Sequence, residues 1–170
     1  MTSLASKADR HAEHLSGMGE LAQLNISDGG VPKLPIDEAE VTVDGINGDR
    51  QRNRRFHGGP DRAVCIWSQE IIHQLQMEGH PVGPGFTGEN LTVKGLDWTL
   101  MQPGSVLEIG PTVVVELTSF ARPCKTNAQW FINGDFRRID GTVHPGWSRV
   151  YARVLIEGLL VTRSSVVLRD

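Results

Sequence analysis

A chain of 170 residues with 39% hydrophobic and 22% charged content suits one globular domain with a sizeable core. A formal net charge of -3 leaves no overall basic footprint, which sets nucleic acid aside as a partner. No run approaches the roughly 20 apolar residues of a membrane helix, and the N-terminus lacks the apolar core of a secretory signal, so no membrane partner and a cytoplasmic location are expected. The two cysteines, Cys65 and Cys124, are read as thiols, and two are too few for a four-cysteine iron-sulfur cluster.

Residues 1–19 carry many charges and few apolar positions and read as a loose N-terminal tail, with His11 and His14 lacking a third metal ligand nearby. The domain is expected over residues 20–170. It opens with a short strand, Leu21 to Ser27, and the turn Asp28-Gly29-Gly30, where paired glycines permit close backbone approach and Ser27 is a candidate donor; a plain tight turn uses the same residues. An extended stretch runs to Ile36 and a strand covers Glu40 to Val43. Arg50, Arg52, Arg54 and Arg55 then place four arginines within six residues, a local positive field able to draw an anion or simply to be solvated.

The stretch His57-Gly58-Gly59-Pro60-Asp61-Arg62-Ala63 follows, leading into the apolar strand Val64 to Trp67. Successive amides at a glycine pair can form an anion-binding nest, and Arg62 presents a planar fork suited to phosphate or carboxylate. An ordinary Gly-Pro turn with an exposed arginine has the same composition. Ser68 is placed to cap a packing helix of about ten residues with Ile71, Ile72 and Leu75 on its apolar face, ended by Gly79. Pro81 to Gly88 is a loop that delivers Glu89 and Asn90 to the lip of the strand Leu91 to Val93, a common setting for polar site residues.

Ser105 to Ile109 and Thr112 to Thr118 read as a hairpin about Gly110-Pro111. Cys124 follows Pro123, precedes a short apolar helix through Ala128, Trp130 and Phe131, and lies between Arg122 and Lys125, features that favour a thiolate and suit a soft metal. Val150 to Glu157 alternates as a strand, and Gly158 turns the chain toward a final strand near Val166 to Leu168. Many short strands, few helices and frequent Gly or Pro turns define a mostly β, barrel-like domain.

Five of these motifs together resemble MOSC domains: Ser27 to Lys33, Gly48-Asp49-Arg50-Gln51, His57 to Ala63, Gly88-Glu89-Asn90-Leu91-Thr92, and Pro123-Cys124. The resemblance covers about residues 20–170 and implies a mostly β (α+β) MOSC-type β-barrel with a few short helices. It implies molybdenum cofactor (molybdopterin) as the ligand, with Cys124 as both catalytic residue and metal ligand. Arg62, His57, Gly58, Gly59, Ser27, Glu89, Asn90 and Lys125 are the residues expected to bind the cofactor, Arg62 through its phosphate. The implied activity is reduction of N-hydroxylated compounds such as hydroxylamines and amidoximes, with electrons from an external ferredoxin- or flavodoxin-type donor. No pyridoxal phosphate or iron-sulfur cluster is expected in the chain itself.

Two other readings use the same residues. One is a non-catalytic carrier of the cofactor, or of sulfur as a persulfide on Cys124 received from a desulfurase. The other is a plain anion-binding module. Ser164-Ser165, where many family members have Gly-Asp, marks the C-terminal turn as a departure from the pattern.

Overall fold

The computed structural model describes residues 17–50 and 58–169. His57 and the three arginines at 52, 54 and 55 therefore lie outside the described residues, as does the tail through residue 16.

Seven strands close into a barrel: β1 (Met18–Ile26), β5 (Val64–Ser68), β6 (Leu91–Lys94), β7 (Val106–Ile109), β8 (Val113–Phe120), β9 (Val150–Ile156) and β11 (Ser165–Arg169). Their circuit runs β1-β6-β5-β9-β8-β7-β11, and β11 returns to β1 through Met18 to Glu20. Strand β1 is long enough to do more than close the ring. Its far end, Leu24 to Ile26, also carries β2 (Leu34–Ile36) as an antiparallel neighbour. A separate small sheet has the order β10-β3-β4, formed by β10 (Gly158–Val161), β3 (Glu38–Thr42) and β4 (Gly45–Ile46). This is the mostly β barrel expected.

Strand alternation accounts for where the core lies, because successive side chains leave opposite faces. Val64 and Ile66 of β5 join the interior cluster with Leu21, Leu24, Leu91, Leu117, Val150 and Ala152. Cys65 and Trp67, the intervening residues, face outward into two different environments. Trp67 packs with Ile72 and Leu75 of the α-helix α1 (Gln69–Met77), together with Val82, Phe131 and Ile139. Cys65 packs instead with Ala121 and Tyr151. The outer wall of one strand thus supports a helix at one end and a cavity at the other.

Helix α1 begins where expected: the Ser68 side chain accepts from the Ile71 amide at 3.3 Å. It is the crossover between β5 and β6, the one parallel pair in the barrel, because parallel neighbours require such a connection. One expectation needs extension at the C-terminal end. Gly158 starts strand β10 rather than only a turn, and β10 pairs with β3 from Gly158↔Val41 to Val161↔Glu38. The Leu159-Leu160-Val161 run lacks the polar alternation that marks a half-buried strand, although Leu160 is buried and its two neighbours are exposed.

Candidate functional site

The outward face of β5 and β9 is one wall of a cavity of about 680 Å³, a size suited to a small molecule or cofactor. Three loops complete it. The β1–β2 loop contributes Gly30, Val31 and Lys33; the loop before β6 contributes Thr87, Gly88 and Asn90; the turn after β8 contributes Cys124 through Asn127 and Gln129. Arg149 and Tyr151 enter from β9 and its approach, and Arg50 from the segment after β4.

A buried polar network holds these loops together. The Lys33 ammonium donates to both Asp49 carboxylate oxygens at 2.6 and 2.5 Å. Asp49 also accepts from the Ser27 amide and from Asn90 Nδ2, each at 2.9 Å. Asn90 completes the link by accepting from the Cys65 amide at 3.1 Å and donating to the Asn25 carbonyl at 3.3 Å. One asparagine therefore joins β1, β5, β6 and the Asp49 segment. Gly85, at φ +82°, lets the loop before β6 lie directly on this assembly, since a Cβ there would collide with the Lys33 carbonyl.

Glu89 sits beneath the loop, fully buried. It accepts from the Gly85 amide at 2.6 Å and from the Thr87 and Thr92 hydroxyls at 3.0 and 3.4 Å. Burial raises its carboxyl pKa above the ordinary carboxylate value, with the Gly85 amide and Arg149 opposing that shift. Its oxygens thus shape the loop that forms the cavity edge.

Arg149 is the main buried cation of the cavity wall, only 5% exposed. Its guanidinium donates to the Thr87 carbonyl at 2.5 Å and the Arg122 carbonyl at 3.4 Å, while Nε has no partner among the described residues. Asn127, 1% exposed, has no partner for either side-chain amide atom, Oδ1 or Nδ2, among the described residues. Lys33, Arg50, Lys125 and Arg149 line the cavity, and no carboxylate does among the described residues. The field inside favours an anion.

Two thiols line the same space. Cys65 is buried, and desolvation pushes its pKa up to about 11, so it is a neutral thiol at physiological pH. Cys124 is half-buried, with the Thr126 hydroxyl 2.6 Å from its sulfur. Tyr151, opposite Cys65 in the β5–β9 pairing, is raised to about 12, chiefly by burial.

The residues named from sequence fall in several places. Cys124, Lys125 and Asn90 line the cavity together. Arg62 ends a 3-10 turn (Pro60–Arg62) with its guanidinium 5.4 Å from the centre of the Tyr151 ring, beside the cavity wall rather than in it. Gly58 and Gly59 precede that turn outside the lining, and Gly59 adopts φ 97°. The Ser27 hydroxyl closes its own turn by donating to the Gly30 carbonyl at 2.9 Å. Glu89 faces the loop interior, and His57 is outside the described residues.

Lys33, Arg149, Asn127 and Tyr151 also line the cavity, and the sequence motifs do not mark them as site residues. Arg149 carries a usable signal: a cation immediately before an alternating strand stands at a strand lip, as Asn90 does. Asn127 carries less, because its burial depends on the fold of the whole Cys124 turn.

The fold is thus a closed β-barrel whose cavity is lined by four cationic side chains and a half-buried thiol, with no carboxylate among the described residues. The MOSC domain family matches residues 53–166, and the chain belongs to that family. It is 30% identical to protein YiiM of Escherichia coli (strain K12) over 127 residues, covering 69% of this chain and 54% of YiiM. It is 32% identical to YflK of Bacillus subtilis (strain 168) over 131 residues, covering 76% of this chain and 58% of YflK. The chain therefore spans little more than half the length of these relatives. The crystal structure of YUAD protein from Bacillus subtilis shares the fold at TM-score 0.69 and 18% identity, covering 89% of this chain and 95% of that one. The crystal structure of Escherichia coli YiiM does so at TM-score 0.66 and 20% identity, covering 89% and 70%.

Proposed function

We propose that this MOSC domain binds molybdenum cofactor in the cavity, with Cys124 as the protein ligand to molybdenum, and reduces N-hydroxylated compounds using electrons from a separate donor protein. The observation that carries the reading is a lining with four cationic residues, no carboxylate among the described residues, and a half-buried thiol. Such a lining suits a ligand that is both anionic and soft-metal-bearing. Arg149 Nε and the Asn127 side-chain Oδ1 and Nδ2, which have no partner among the described residues, suit a ligand with several polar groups, since buried polar atoms left unpaired are costly.

When bound, the cofactor supplies a two-electron couple able to take the oxygen of an N–O bond. The chain's own residues bind and orient. Cys124 supplies the thiolate. Arg149, fixed by two carbonyls, and Lys125 and Arg50 offer positive charge to the anionic groups. Lys33 is held by Asp49, so it contributes a placed cation rather than a mobile one. Asn90 contributes shape, its polar atoms being engaged in the network.

Elemental analysis for molybdenum, with pterin fluorescence, on protein from a cofactor-producing host tests the reading. Stoichiometric molybdenum in wild type and its loss in a folded Cys124→Ala variant is the expected result. Equal metal in both, or none in either, overturns it. The exposure of Lys125 and Thr126 beside Cys124 favours a second reading, delivery of cofactor or persulfide sulfur from this thiol to a partner. Loaded protein that transfers its cargo once and never turns over amidoximes with an artificial electron donor would select the carrier.

A further inference from the structure

We infer that Thr126 is a positioning residue for the Cys124 sulfur: its hydroxyl donates to Sγ and sets how much charge that sulfur passes to the soft metal it ligates. The inference rests on Cys124 being the metal ligand. The Thr126 Oγ1 lies 2.6 Å from Cys124 Sγ. With a neutral thiol either atom can donate, but a thiolate has no proton, so in the ligating state the hydroxyl must be the donor.

The turn is built to keep the hydroxyl there. The Asn127 amide donates to the Cys124 carbonyl at 2.9 Å, and Gln129 Nε2 donates to the Thr126 carbonyl at 3.0 Å. Both backbone carbonyls are occupied, and the Thr126 hydroxyl has no other hydrogen-bond partner among the described residues. A β-branched side chain also has few χ1 positions to explore. Cys124 and Thr126 both line the same cavity.

The consequence follows from general coordination chemistry. A hydrogen bond to an ionised acceptor is about twice as strong as a neutral one, and outer-shell partners orient ligands and tune the metal. Hydrogen bonds to ligating sulfur withdraw charge from it and so favour the reduced, more electron-rich centre, which raises the reduction potential. Thr126 is exposed, so replacing it spares the core.

The test compares wild type with Thr126→Val, which keeps the shape and removes the hydroxyl, and Thr126→Ser, which keeps the hydroxyl. Each protein is prepared from a cofactor-producing host, its molybdenum content measured, and its potential read by mediator titration followed by electron paramagnetic resonance. In Thr126→Val the ratio of reduced to oxidised centre at a fixed potential should fall at least tenfold, about 59 mV for a one-electron couple. Thr126→Ser should stay within about threefold of wild type. Loss of metal from Thr126→Val alone, with Thr126→Ser loaded, also supports the role. A Thr126→Val curve that overlays wild type, or a Thr126→Ser protein displaced or metal-depleted as far as Thr126→Val, overturns it while leaving the functional reading intact. Wild type without molybdenum overturns both.

Discussion

Lys33 and Asp49 form an ion pair at 2.5 Å with side chains only 8% and 5% exposed, beside a cavity that no carboxylate lines among the described residues. Asp49 is the common acceptor for the Ser27 amide, Lys33 and Asn90, so it ties the β1–β2 loop to the lip of β6. Removing one partner leaves the other charge buried without compensation, a loss of roughly 3–5 kcal/mol. Lys33→Met and Asp49→Asn should each lower the unfolding free energy by that order, and the double variant should lose clearly less than their sum. Denaturant unfolding of the four proteins measures the coupling; additive losses would mean that the pair does not act as a unit.

Arg149 predicts a response to anions. Its guanidinium is buried, hydrogen-bonded to two carbonyls, and has no carboxylate within ion-pair distance among the described residues. An anion reaching it stabilises the folded state by RT ln(1 + [L]/Kd), about 2.7 kcal/mol at a hundred times Kd. Inorganic phosphate should therefore raise the melting temperature of wild type. Arg149→Met should start about 1–3 kcal/mol less stable, because the Thr87 carbonyl loses its donor, and should show no phosphate increment. A variant that keeps the full increment would place the anion elsewhere.

How far the sequence revealed this site depends on which interactions are local. The Ser68 cap, the β7–β8 hairpin and the alternation of β9 are properties of neighbouring residues, and they are legible in the sequence. Barrel closure is not: the return of β11 to Met18–Glu20 joins the two ends of the domain, and no local pattern announces it. Strand β10 escapes a local reading for a related reason, since its partner β3 lies more than a hundred residues earlier. Cys124, Lys125 and Asn90 stood out through unusual local settings and do line one cavity. Glu89 looked the same from its neighbours, yet its oxygens turn into the loop. Arg149 is buried only because the segments at Thr87 and Arg122 converge on it.

Cys65 predicts a weakness at alkaline pH. Its thiol is raised from 9.0 to about 11 by burial, so between those values the unfolded chain has released a proton that the folded chain retains. The folded state then binds more protons than the unfolded one, and stability falls as pH rises through the window. A shift of this size corresponds to roughly 2–3 kcal/mol, fully expressed above pH 11. Stability profiles of wild type and Cys65→Ala should converge or cross between pH 9 and 11, the variant having the shallower slope. Parallel profiles would show that the thiol does not titrate differently in the two states. Alkylation at neutral pH should meanwhile label Cys124 and spare Cys65.

Glu89 makes the corresponding prediction at lower pH. Burial raises its folded-state pKa above the unfolded carboxylate value, against the pull of three hydrogen-bond donors and Arg149. The sign is that of Cys65: in the window above the ordinary carboxylate pKa the folded state holds the proton longer, so this group's contribution to stability declines as pH rises toward neutrality. Glu89→Gln carries no titrating proton and keeps an oxygen for the Gly85 amide, so it should remove that decline. The difference in unfolding free energy between Glu89→Gln and wild type should therefore grow in favour of the variant from about pH 4.5 upward. If wild type instead gains on the variant as pH rises, the carboxylate is stabilised in the fold, and its hydrogen bonds to the Gly85 loop outweigh the cost of its burial.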